Sequence, residues 1–124
     1  MAGMQFIVSG NSVEARDLVL SVFHQNHWSV TLKSDWEATA EHGSKAASIL
    51  VGAFAGKSGR HVILNISISV DTYGYTVITL ITGTSGASGG AIGVSQANNI
   101  YKKMYENIGV ALSSAGIYVS NMII

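Results

Sequence analysis

"HVILNISISVDTYGYTVITLIT", residues 61–82, decides the fold class. In its first half Ile66, Ile68 and Val70 alternate with Asn65, Ser67 and Ser69. A period of two marks a strand with one dry face and one wet face. The second half, "YTVITLIT" (75–82), is rich in β-branched residues and reads as a second strand. "DTYG" between them suits a tight reversal. A hairpin makes the local sheet antiparallel, and its dry face must be covered by another layer.

Upstream, "MQFIVSG" (4–10) reads as a short strand ending at Gly10. Asn11 followed by Glu14 has the form of a capping box. Ala15, Leu18, Val19, Val22 and Phe23 then recur at helical spacing, and Asn26 suits a left-handed helix terminus. "WSVTLKSDWEATAEHG" (28–43) alternates twice around Ser34-Asp35, with Trp28, Val30, Leu32 and then Trp36, Ala38, Ala40 on the dry side. That is a second hairpin. In residues 46–56, Ala46, Ile49, Leu50 and Ala53 fit a short apolar helix capped by Ser44, with a buried strand as the competing reading.

Downstream, "GTSGASGGAIG" (83–93) is too glycine-rich for a regular element. Ser95 is placed to cap a second long helix carrying Ala97, Ile100, Tyr101, Met104, Ile108, Ala111, Leu112 and Ala115, with Gly116 as its stop. "IYVSNMII" (117–124) is apolar and reads as an edge strand or a segment docked on a partner. The order β-α-β-β-(α)-β-β-α-β predicts an α+β fold, residues 1–124 forming one domain. An antiparallel sheet of five to six strands carries two long helices and one short apolar helix on one face. The expected core holds Leu18, Val22, Phe23, Val30, Leu32, Ile66, Ile68, Val77, Tyr101, Met104, Ile108 and Leu112.

Composition narrows the function classes. Net charge is zero and only 11% of the 124 residues are charged, against about 25% in an average domain. A weakly charged, neutral surface resists association poorly, so a homo-oligomer is expected. The seven basic residues are scattered, which argues against nucleic acid. No cysteine is present, which removes disulfides, thiolate chemistry and cysteine-based metal sites. The first residues lack the basic and apolar regions of a signal peptide, and no apolar run reaches the length of a membrane span. The expected location is cytoplasmic.

Several motifs resemble chemistry without meeting its requirements. "GAFAGKSG" (52–59) ends like a P-loop, but Gly52 and Gly56 are one residue too close and a strand pattern follows. "GASGG" (86–90) matches the nucleophile elbow around Ser88, yet no histidine follows His61 to complete a triad. His24 and His27 have metal-compatible spacing but no third ligand nearby in sequence, so no metal is expected. Glu37 and Glu41 point to the solvent side of their strand, and no catalytic pair is expected.

Two sites remain. Ser85, Gly86, Ser88, Gly89 and Gly90 lie between a strand and a helix start, where free N–H groups and the helix dipole favour an anion. Ile117, Val119, Ile123 and Ile124 are candidate interface residues because they are apolar beyond a helix stop. The segments "GSKAASILVGAFAGK" and "TSGASGGAIGVSQA", set in this element order, resemble small uncharacterised bacterial α+β domains. That resemblance assigns no residue a role. The expected function is a non-catalytic domain acting by self-association or protein interaction, without a cofactor. The alternative is a small anionic or apolar ligand held at loop 83–93 or between sheet and helices.

Overall fold

The computed structural model describes residues 3–43, 62–83 and 90–124, with the side chains of 90–98 excepted. Among these residues six strands and two helices follow in chain order: β1 (Gly3–Val8), α1 (Ser12–Gln25), β2 (Ser29–Leu32), β3 (Glu37–His42), β4 (Val62–Val70), β5 (Thr76–Thr82), α2 (Gly90–Ser114) and β6 (Tyr118–Ile123). The strands form one sheet in the order β2-β3-β4-β5-β1-β6, and every pairing is antiparallel. The chain is therefore α+β, as the alternation of residues 61–82 predicts. Residues 46–56, the proposed short helix, lie outside the described residues, as does the P-loop-like stretch 52–59.

The central hairpin owes its register to its turn. Asp71 Oδ1 accepts from the N–H groups of Tyr73 and Tyr75, and Gly74 takes a φ of 84°. Ile68 then faces Ile78, and Leu64, Ile66, Ile78 and Leu80 are buried together. Val77 falls opposite Ser69 on the other face and is only half-buried, so it does not belong to the core. The reason is that β5 is apolar on both faces, and periodicity alone leaves its phase open. Thr76 is the polar exception on the buried face. Its hydroxyl donates to the Gly10 carbonyl at 3.0 Å, which fixes the β1–α1 corner.

Both helices lie on the face that carries Phe6, Val8, Ala38, Ala40 and Leu64. Asn11 caps α1 as expected, its Oδ1 accepting from Glu14 N–H at 2.7 Å. Ala15, Val19, Val22 and Phe23 are buried, while Leu18 is half-buried. The left-handed residue after α1 is His27 (φ 65°), not Asn26. Trp28 N–H reaches back to the Phe23 carbonyl at 2.9 Å, the long bond of a Schellman closure. Asn26 instead directs its side chain inward, donating to the Val22 carbonyl. Leu32, at the end of edge strand β2, is 62% exposed and is also no core residue. Val30 is half-buried against the core.

Helix α2 starts at Gly90, so residues 90–93 are helical and Ser95 is an interior position rather than a cap. Each glycine costs about 1 kcal/mol in a helix, but extending a long, well-packed helix is far easier than starting one. Tyr101, Met104, Tyr105, Ile108 and Leu112 are its buried stripe. Gly116 ends it at φ 76°, with Ile117 N–H bonded to the Leu112 carbonyl at 3.2 Å.

Candidate functional site

Strand β6 is the sheet's edge, beyond β1. Gly3 and Ile124 exchange both backbone hydrogen bonds, at 3.0 and 3.1 Å. In an antiparallel pair the bonded positions alternate, so Met122 and Ser120 also bond inward to β1. The N–H and C=O groups of Asn121 and Ile123 consequently point away from the sheet, and no strand among the described residues meets them. The strand carries no charge and no proline. Val119, Met122 and Ile123 are 45%, 54% and 63% exposed. One irregularity interrupts it, a register shift opposite Ile7 and Val8.

A groove of about 700 Å³ runs between β6 and α2. Its floor is Met4 and Phe6 of β1 with Tyr118, Asn121 and Ile123 of β6. Tyr105, Gly109 and Val110 form the α2 wall. Tyr118 packs edge-on against Phe6, with ring centroids 6.4 Å apart, and its hydroxyl accepts from Asn121 Nδ2 at 2.7 Å. The groove exists because α2 covers β1 but leaves the inner side of the edge strand open: Val110 on its rim is 66% exposed.

The Tyr105 hydroxyl is buried and has no hydrogen-bond partner among the described residues. Burial, reinforced by the neighbouring Tyr101 phenol, pushes its pKa up to about 12. The Tyr101 pKa is also raised by burial, and its hydroxyl donates to the Ile63 carbonyl at 3.1 Å. Both phenols are therefore neutral at physiological pH. Among the described residues no histidine lines the groove. Ser113, Ser114, Lys102 and Glu106 lie along its helix wall, while Met4, Phe6, Val110 and Ile123 give the groove a largely apolar lining.

A second, smaller pocket lies between the C-terminal end of α1, the end of β3 and the middle of α2. Trp28 lines it, whereas Trp36 lines a separate crevice and is covered by Arg16, whose guanidinium carbon is 5.4 Å from the ring centroid. The two tryptophans do not share a cavity.

The interface residues expected from the sequence are brought together on or beside β6. Val119, Ile123 and Ile124 are exposed. Ile117 instead packs against the core, beneath Gly10. Of the expected anion-binding loop, Ser85, Gly86, Ser88 and Gly89 lie outside the described residues, and Gly90 is the first residue of α2. His24 is in the last turn of α1 and His27 lies just beyond it; among the described residues no group of three potential ligands could hold a metal. Sequence reasoning missed Tyr105, Gly109 and Val110. The signal available was Val110, an apolar residue off the buried stripe of its helix.

No protein-family model matches the chain. No curated protein matches it by sequence either. Among the described residues no helix is long and apolar enough to cross a membrane.

Proposed function

We propose that this chain is a non-catalytic interaction module whose partner is a second copy of itself, joined along β6. The supporting observation is the combination on one strand of outward-facing backbone at Asn121 and Ile123, exposed apolar side chains and no charge. Edge strands are ordinarily blunted by lysine, proline, shortness or a strong bulge. The opposite edge follows that rule: β2 has four residues and runs into Lys33. Strand β6 has six residues and only the local register shift.

A two-fold axis suits an antiparallel β6–β6 pairing, because such an interface uses the same patch twice. Centring the register on Asn121 sets Ile123 of one copy against Val119 of the other. The low charge of the whole chain removes long-range repulsion between copies.

Asn121→Pro tests the reading. Its N–H faces outward, so proline is tolerated there in the monomer and blocks strand addition. Light scattering is expected to give a dimer mass for the natural chain and a monomer mass for the variant, with unchanged circular dichroism. A natural chain that stays monomeric from micromolar to millimolar concentration sinks the proposal.

A second reading rests on the groove. A volume of about 700 Å³ with an unpartnered Tyr105 hydroxyl suits an apolar small molecule that carries one polar group. Fluorescence of 1-anilinonaphthalene-8-sulfonate should rise with the natural chain and fall back with Val110→Arg. Equal fluorescence from the two chains removes this reading.

A further inference from the structure

We propose that the pocket between the end of α1, the end of β3 and the middle of α2 binds a small monocarboxylate with an apolar body, its carboxylate held by Lys103 and His42. The pocket encloses about 300 Å³, at the small end of the ~300–1,000 Å³ range of ligand sites. It is separate from the β6 groove and does not depend on self-association.

The polar groups sort by availability. Asn107 Nδ2 donates to Asn26 Oδ1 at 3.1 Å, and Asn26 Nδ2 donates to the Val22 carbonyl at 2.8 Å. These two amides brace one another and form a fixed wall. His42 Nδ1 is buried and has no hydrogen-bond partner among the described residues. A buried polar atom left unpaired costs about 1–3 kcal/mol, so it marks a place where a ligand atom gains an interaction that water does not supply. The His42 ring is held against Trp28, with centroids 5.3 Å apart, which fixes its direction. Burial, and then the nearby His27, hold the His42 pKa below its ordinary value. Burial thus favours the neutral ring, and its Nδ1–H tautomer is the form that donates to a carboxylate.

Charge selects the ligand's sign. Among the described residues Lys103 lines the pocket and no acidic side chain does. A cation beside an unpartnered imidazole recognises a carboxylate. Besides the uncharged Asn99, the rest of the lining is Trp28, Ile100 and Met104, which calls for a hydrocarbon body rather than a second charged group.

Benzoate is the probe. Titrated into isotope-labelled full-length chain, it is expected to shift the Trp28 indole N–H, the His42 ring and the Asn107 amide resonances with saturation in the millimolar range. Benzyl alcohol, of like size without the charge, should bind at least about tenfold more weakly. Lys103 is exposed, so Lys103→Met preserves the fold and should weaken benzoate by about tenfold or more. The proposal is overturned if benzoate leaves those resonances unmoved, if benzyl alcohol matches it, or if Lys103→Met binds benzoate as the natural chain does. Subunit mass plays no part in the readout, so this result is independent of the β6 interface.

Discussion

Asn107 Nδ2 lies 3.1 Å from Asn26 Oδ1, joining the middle of α2 to the C-terminal end of α1. The two helices otherwise meet through apolar side chains, which slide more easily than a directed bond. Asn26 also caps α1 through the Val22 carbonyl. One side chain thus serves a helix end and a helix–helix contact together.

Asn107→Ala is expected to cost about 1 kcal/mol, the usual net worth of such a bond. The denaturant midpoint should fall with the slope unchanged. A loss below about 0.3 kcal/mol would mean that solvent replaces the bond at no cost.

Gly109→Ala should stabilise the chain. A methyl group there would meet Phe6 Cε1 at 3.7 Å, an ordinary contact, and the position is interior to α2. The expected gain is about 0.5–1 kcal/mol from helix propensity. Thermal unfolding checks it: a lower midpoint would show that the groove wall has no room.

The His42 shift makes stability pH-dependent. Its folded pKa lies below the ordinary histidine value of 6.5, so between the two values the unfolded chain binds more protons. Stability from this group is complete above about pH 6.5 and is lost as pH falls through the folded value. Urea midpoints at pH 7.5 and pH 5 should differ more for the natural chain than for His42→Gln. Parallel profiles would assign the acid sensitivity to other groups.

Ile123→Lys should separate edge chemistry from fold stability. Ile123 is 63% exposed, so the monomer is expected to change by no more than about 0.5 kcal/mol. A charge at a free edge should nevertheless abolish the dimer in light scattering. Removal of residues 117–124 is a poorer test, since it strips β1 of its pairing from Met4 to Val8.

Much of this architecture was legible because its signals are local. The alternation in β4, the Asn11 cap and the Gly116 stop each depend on a few neighbouring residues, and each is found in the structure. The misplacements share a different cause. Val77 needed the register set by Asp71, and Leu32 needed to be known as the end of an edge. Asn26 has the composition of a left-handed terminus, but its amide is engaged by Val22 and Asn107, and His27 takes the strained conformation. A pocket between sheet and helices was expected, but the residues that line either cavity were not legible. The groove joins β1, β6 and α2, and the pocket joins α1, β3 and α2; such meetings are set by sheet order, which single-sequence periodicity does not contain.

The position of β1 between β5 and β6 governs when the sheet can be finished. During synthesis the β2–β3 and β4–β5 hairpins can close from neighbouring residues as they emerge. Strand β1 is made first, yet one flank waits for β5 and the other for β6, where Met4 pairs with Ile123. Pairings of such long sequence separation slow folding, since the loop must be closed before any contact rewards it. Until β6 arrives, "GMQFIV" has an unpaired side beside a growing core, a stretch on which a chaperone or a neighbouring nascent chain can act.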